Sequence, residues 1–125
     1  MILSCLLPKL ILLISLFSFA FATNQLHKHP FNERAWYCGV DLITELLAKQ
    51  AVTSLCTTQE YNLINKCCYT HDNCYGLKKG QQKCDKEFCN CLKVGSKECK
   101  VVALGFCIAT ESHGEKSYMG KKSEL

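Results

Sequence analysis

Several features are missing from this 125-residue sequence, and each absence excludes a class of structure or function. There is no long alternation of apolar and polar residues, which argues against a large sheet, and there are no internal repeats. No block of one charge sign occurs, and the net charge of +4 is too mild to indicate nucleic-acid binding. The sequence also lacks a Gly-x-Ser-x-Gly motif, which argues against a serine lipase.

The first 22 residues have the pattern of a secretory signal. Lys9 precedes a mostly apolar segment that ends in Ala20-Phe21-Ala22, the small-x-small sequence that signal peptidase cuts. That segment is well short of the roughly 20 apolar residues needed to cross a bilayer. We therefore expect residues 1–22 to be a signal peptide and the protein to be secreted and extracellular.

The rest of the chain is expected to form one domain at residues 23–110 and a polar C-terminal tail at residues 111–125. The last four residues, KSEL, differ by one substitution from the KDEL retrieval signal. The lumen of the endoplasmic reticulum is therefore a minor alternative localisation.

Cysteine is abundant, with 11 residues in the chain. Cys5 would leave with the signal, and the remaining even number in a short secreted chain indicates five disulfides. A domain of this size has a modest core, so such staples would add stability that burial alone does not supply. The ten are Cys38, Cys56, Cys67, Cys68, Cys74, Cys84, Cys89, Cys91, Cys99 and Cys107.

The fold class that the sequence predicts is mainly α and disulfide-rich. Apolar residues at helical spacing in residues 40–49 predict a short packing helix. Thr57 and Glu60 form a capping-box pattern at the start of the next helix, and Gly76 with Gly80 marks its end. The predicted helices span residues 40–49, 58–75, 82–94 and 97–110, and residues from 111 on are expected to fray.

Two equal cysteine intervals relate the second and third predicted helices. Cys67 and Cys74 are seven residues apart, as are Cys84 and Cys91, so each pair of sulfurs lies on one helix face about 10.5 Å apart. Two antiparallel helices can then be cross-linked twice, through Cys74 with Cys84 and Cys67 with Cys91.

Helix-wheel geometry on this hairpin brings a histidine and a carboxylate together. At about 100° per residue from the cysteine seam, His71 and Asp85 lie on the same side, whereas Glu87 lies on the opposite side. A histidine held by a carboxylate is suited to act as a general base with a fixed tautomer. Asp72 points elsewhere, which leaves its carboxylate to bind a hard cation such as Ca²⁺.

The segment Cys-Cys-x-x-His-Asp-x-Cys-Tyr, followed by Cys-Asp, resembles the active-site helices of the secreted phospholipase A2 family. The resemblance is specific over residues 65–92. It implies that His71 activates water, that Asp72 binds calcium, and that Asp85 and Tyr75 form the hydrogen-bond network of the histidine. The implied reaction is calcium-dependent hydrolysis of the sn-2 acyl ester of glycerophospholipids, with a phospholipid membrane surface as substrate.

The calcium loop departs from the family pattern Tyr-Cys-Gly-x-Gly. The matching residues are Tyr37-Cys38-Gly39-Val40-Asp41, in which Asp41 replaces the second glycine. The family pattern implies that Cys38 pairs with Cys68. Tyr37, Gly39 and Asp41 are therefore candidate calcium ligands beside Asp72, with Asp41 offering an oxygen of its own.

The sequence is also compatible with other interpretations of these residues. His71 could be purely structural, or a zinc ligand with Cys68 and Cys74, although oxidised sulfurs would prevent the latter. Trp36 and Tyr37 could line an acyl-chain pocket, sit at the membrane interface or pack in the core. The protein could also be a catalytically inactive phospholipase A2-like module that binds lipid or protein. We expect a monomer, and the pairing of Cys56, Cys89, Cys99 and Cys107 stays open.

Overall fold

The computed structural model describes residues 30–120, and these residues form four helices and no strand. The helices are α1 (Leu42–Leu55), α2 (Thr58–Gly76), α3 (Gln81–Cys91) and α4 (Lys97–Gly120). The predicted signal peptide and the KSEL sequence lie outside the described residues. None of the described helices is long and apolar enough to cross a bilayer. The predicted mainly α, disulfide-rich fold class is confirmed.

Helix α1 begins at a complete capping box. The Asp41 side chain accepts a hydrogen bond from the Thr44 backbone N–H at 2.8 Å, and the Thr44 hydroxyl accepts one from the Asp41 N–H at 3.0 Å. A helix is present as predicted, but it begins at Leu42, two residues later than expected, and extends to Leu55. The expectation that its apolar stripe packs is wrong, because Val40, Ile43, Leu46 and Leu47 are between 61% and 72% exposed.

Helices α2 and α3 form the predicted antiparallel hairpin. Cys67–Cys91 and Cys74–Cys84 are both disulfide-bonded, which confirms the predicted cross-links. Gly80 begins α3 with a φ of 101°, a left-handed conformation that favours glycine over other residues. The turn between the helices is therefore determined by a residue that the sequence already marks.

Helix α3 ends at Cys91, three residues before the predicted end at residue 94. Leu92 and Val94 continue the apolar pattern, but both are buried from an irregular segment rather than from a helix. Burial of apolar residues in a short connecting segment produces the same sequence pattern as a last helical turn. The pattern alone therefore overestimated the length of α3.

Helix α4 is ten residues longer than predicted and runs through residues 111–120, where fraying was expected. This part of the helix is held by tertiary contacts. Gly114 is buried against the α2–α3 hairpin, and the Tyr118 ring contacts the Tyr75 ring edge-on with centroids 5.1 Å apart. Packing against the hairpin stabilises a polar segment that its own sequence would not keep helical.

Disulfides connect every part of this fold. The two bridges that the sequence left open are Cys56–Cys99, between the end of α1 and α4, and Cys89–Cys107, between α3 and α4. The Cys38–Cys68 bridge, which the family resemblance implied, joins the segment before α1 to α2. Among them lies a core that includes Val52, Ile64, Phe88, Leu92, Val94, Val102 and Ala103.

The carboxylate of Glu60 joins the start of α2 to the start of α4. It accepts hydrogen bonds from the Thr57 N–H at 2.9 Å, from the Gly95 N–H at 2.9 Å and from the Ser96 N–H at 2.8 Å. These bonds lower the pKa of Glu60 to about 2, and the bond from the Ser96 N–H makes the largest contribution. The capping box that the sequence predicted is therefore also a tertiary contact.

Candidate functional site

The imidazole of His71 lies against Asp85, as the wheel geometry predicted. His71 Nε2 is 2.8 Å from Asp85 Oδ1, and both side chains are largely buried, with exposures of 11% and 7%. Glu87 is on the solvent side of α3, where its carboxylate is 4.0 Å from the Lys83 ammonium. The structure thus pairs His71 with the one carboxylate of α3 that shares its side of the hairpin.

The Asp85 carboxylate is held by further donors from both helices of the hairpin. The Tyr75 hydroxyl donates to the same Oδ1 at 2.5 Å, and Gln81 Nε2 donates to Oδ2 at 3.4 Å. A buried carboxylate that receives several hydrogen bonds has a fixed orientation. Asp85 can therefore hold the imidazole in the tautomer that carries its proton on Nε2.

Aromatic rings enclose the imidazole on the interior side. The ring centroid of His71 is 4.1 Å from that of Tyr75 and 4.8 Å from that of Phe88. Burial and the hydrogen bond to Asp85 raise the pKa of Tyr75 well above its ordinary value of 10.0. Tyr75 therefore stays protonated and remains a donor to Asp85 at any physiological pH.

His71 lies in the wall of a cavity of about 960 Å³, at the upper end of the size of ligand pockets, which is about 300–1,000 Å³. Asp72 and Tyr75 line the same cavity, as do Trp36 and Tyr37. Trp36 also packs on the core, so it combines two of the positions expected for it, the pocket wall and the core. The structure brings His71, Asp72, Tyr75 and Tyr37 of the predicted site to one cavity.

The loop that resembles a calcium loop is fastened next to Asp72. Cys38 is bonded to Cys68, which precedes Asp72 by one helical turn and therefore lies on the same face of α2. Gly39 lines the cavity and has a φ of 114°. A Cβ at that position would collide with the backbone of Glu45, so glycine is required at Gly39 for conformation and for space.

Asp41 has a different position from the other candidate ligands. It does not line the cavity, and its carboxylate caps α1 through hydrogen bonds to Thr44. These bonds lower the pKa of Asp41, and the bond from the Thr44 backbone N–H makes the largest contribution. A helix therefore begins where the family pattern has its second loop glycine, and the cap explains an aspartate at this position.

Sequence reasoning missed three kinds of residue in the cavity wall. Glu45, in the first turn of α1, adds a carboxylate beside Gly39. Phe106 adds an apolar ring, and His113 and Gly114 come from the part of α4 that was expected to fray. A glycine inside a polar helix was the available signal, because glycine there costs about 1 kcal/mol and often marks close packing.

The zinc alternative does not fit the structure. The sulfur of Cys68 is bonded to Cys38 and that of Cys74 to Cys84, so neither is a thiolate that could bind zinc. Two other groups of potential metal ligands occur among residues 30–120, and each contains both sulfurs of a disulfide. Disulfide-bonded sulfur is a poor metal ligand, so neither of these groups is a metal site of the usual cysteine type.

The chain is similar to a curated protein of Caenorhabditis elegans, the phospholipase A2-like protein Y52B11A.8. The two are 33% identical over 87 residues, which are 66% of this chain and 49% of the relative. The chain is related to a phospholipase A2-like protein. It spans about half the length of that relative. No family model matches the chain, and no solved structure matches it.

Proposed function

We propose that the protein is a secreted, calcium-dependent phospholipase A2, which hydrolyses the sn-2 acyl ester of glycerophospholipids. The observation that supports this most is the 2.8 Å contact of His71 Nε2 with the buried Asp85 carboxylate, in the wall of a cavity that Asp72 also lines. The five disulfides among residues 30–120 are what a protein of an oxidising compartment would have.

In the proposed reaction, His71 acts as a general base through Nδ1, because Nε2 is engaged with Asp85. Nδ1 takes a proton from water as the water oxygen attacks the ester carbonyl carbon. The bond between that carbon and the glycerol oxygen then breaks, and His71 returns the proton to the departing oxygen. The products are a fatty acid and a lysophospholipid, so atoms and charges balance.

Asp85 and Tyr75 support this proton transfer through the imidazole of His71. The imidazole becomes positively charged when it holds two protons, and the Asp85 carboxylate stabilises that charge. The Tyr75 hydroxyl keeps Asp85 in place at 2.5 Å. A network that is already formed before the reaction does not have to reorganise during it.

The oxygen donors near Asp72 suit a calcium ion. Ca²⁺ prefers carboxylate and backbone carbonyl oxygens, and Asp72, Glu45, Tyr37 and Gly39, which all line the cavity, carry oxygens of these kinds. When bound, calcium would polarise the ester carbonyl and hold the phosphate. Asp41 is outside this set of donors, because its carboxylate caps α1 and the residue does not line the cavity.

We propose that α1, together with Val40 just before it, is the surface that contacts the phospholipid membrane. Val40 and Leu47 line the cavity and are 72% and 65% exposed, so the apolar surface is continuous with the entrance of the cavity. Leu42, Ile43 and Leu46 extend it along the helix and are between 61% and 71% exposed. A soluble protein rarely exposes so many neighbouring apolar side chains without a partner.

The proposed function is tested by fatty-acid release from mixed phospholipid vesicles, with calcium or with a chelator, for the wild type and His71→Gln. Release that needs calcium and is lost in His71→Gln supports the proposal. Vesicle binding without release under any condition contradicts it and favours the inactive lipid-binding module. Release that persists in His71→Gln would show that His71 is not the base.

A further inference from the structure

The structure assigns a role to Gly114 and Tyr118, two residues of α4 outside the family-like segment. We propose that they are positioning residues. Because Gly114 has no side chain, α4 has a notch at this residue, and the helix backbone there packs directly over the Asp85–Tyr75 hydrogen bond. This packing fixes the orientation of His71. The catalytic consequence rests on the proposed function, whereas the structural consequence can be measured without any activity.

The notch is evident from the space around Gly114. A Cβ placed on this residue would overlap the Tyr75 hydroxyl and would lie 3.3 Å from Asp85 Oδ2 and 3.5 Å from Gln81 Nε2. The space that a side chain would occupy is therefore bounded by the Tyr75 hydroxyl, the Asp85 carboxylate and the Gln81 amide, which are hydrogen-bonded to one another. Since Gly114 is buried, the helix backbone itself covers this network from solvent.

Tyr118, one turn later, holds this part of α4 against the hairpin. Its ring packs edge-on against Tyr75, and its hydroxyl accepts a hydrogen bond from the Gly80 N–H at 3.2 Å. The Lys78 ammonium donates to the Tyr118 backbone carbonyl and also lies 4.5 Å from the centre of its ring. These contacts explain why a polar segment stays helical as far as the network.

Exclusion of water is the physical reason that this cover affects His71. Asp85 Oδ1 receives both the His71 and the Tyr75 bonds, and water reaching this carboxylate would compete with both donors. In a dry site the two bonds are stronger and their geometry is better defined. Displacing the Tyr75 hydroxyl would therefore loosen the imidazole even though α4 makes no hydrogen bond to His71 itself.

Gly114→Ala tests the notch, and Gly105→Ala on the same helix is the matched control because nothing lies within 4 Å of a Cβ there. The readouts are the ¹⁵N shifts of the His71 ring, which report its tautomer, and the low-field proton signal of its bonded N–H. We expect Gly114→Ala to shift or broaden these signals and to lower kcat on the order of 10- to 100-fold with little change in KM. Gly105→Ala should leave both unchanged.

A second measurement separates the notch from general strain in α4. Tyr75→Phe removes the hydroxyl that the new Cβ would overlap, so Gly114→Ala should have little further effect on the His71 signals in that background. If Gly114→Ala does not fold, Tyr118→Leu tests the same cover without adding atoms near Asp85, and it should disturb the same signals.

The outcomes distinguish the two proposals. Unchanged His71 signals in both Gly114→Ala and Tyr118→Leu would overturn the positioning role, as would an equal effect of Gly114→Ala with and without the Tyr75 hydroxyl. If the wild type hydrolyses no phospholipid, the proposed function fails, whereas the His71 signals still decide whether α4 positions the imidazole.

Discussion

Asp85→Asn is the substitution that tests the proposed mechanism most directly. The change keeps the shape of the side chain but removes the charge that faces His71. The carboxylate accepts bonds from His71 at 2.8 Å and from Tyr75 at 2.5 Å, both on Oδ1. The asparagine amide can present an oxygen to these two donors, so the hairpin should keep its fold while losing the electrostatic support of the imidazolium.

The size of the effect follows from the separation of the charges. An imidazolium and a carboxylate whose charge centres are about 4 Å apart attract by about 4 kcal/mol at an effective dielectric constant of about 20. The amide dipole of asparagine recovers part of this attraction. Since about 1.4 kcal/mol corresponds to a tenfold change in rate, we expect kcat to fall about 100- to 1,000-fold in Asp85→Asn.

The assay is the initial rate of fatty-acid release from vesicles at saturating calcium and lipid, with circular dichroism to verify the fold. Glu87→Gln is the matched control, because Glu87 is on the same helix but its carboxylate faces Lys83 in solvent. It should change kcat less than about twofold, as expected for an exposed ion pair. A folded Asp85→Asn variant with at least a third of wild-type activity would refute the role given to Asp85.

Three further predictions concern the ion, the fold and the membrane. Asp72→Asn should weaken the binding of Tb³⁺, a luminescent substitute for Ca²⁺. Trp36 lines the same cavity as Asp72 and can sensitise the Tb³⁺ emission, which reports binding. Equal affinity of variant and wild type would exclude Asp72 as a ligand. Glu60→Gln should lower Tm at pH 7. The pKa of Glu60 is lowered from 4.5 to about 2, so the contribution of its carboxylate to folding stability is complete above pH 4.5 and is lost as pH falls toward 2. The Tm difference between wild type and variant should therefore shrink over that interval. A difference that stays constant would contradict this. Leu46→Gln should reduce binding to phospholipid vesicles in a sedimentation assay without lowering Tm. Leu104→Gln is the control, because Leu104 on α4 is about as exposed as Leu46, and it should leave vesicle binding unchanged. Equal losses of binding would contradict the role of α1.

Local sequence signals predicted the hairpin and the pairing at its centre. The seven-residue cysteine intervals and the helical repeat of about 3.6 residues bring His71 and Asp85 to one side, and the structure has them 2.8 Å apart. Such reasoning succeeds here because two cross-links between antiparallel helices leave little freedom in rotation or height. The capping box of Thr57 and Glu60 is equally local, and it marks the observed start of α2.

Features that depend on a distant segment could not be predicted in the same way. The apolar stripe of α1 has the pattern of a packed helix, yet Leu46 and Leu47 are exposed, since periodicity shows that a face is apolar but not what covers it. The segment from Glu111 on has little helical signal of its own and is helical because Gly114 and Tyr118 pack on the hairpin.

The sequence by itself therefore determined the disulfide-rich helical class, the cross-linked hairpin and the juxtaposition of His71 with Asp85, because residues near one another along the chain carry that information. Only the tertiary structure decided that α4 closes over Asp85 and that Asp41 caps a helix instead of lining the cavity. Both depend on which segments meet in space, and that is decided by the free energy of the whole packed fold rather than by the preference of any one segment.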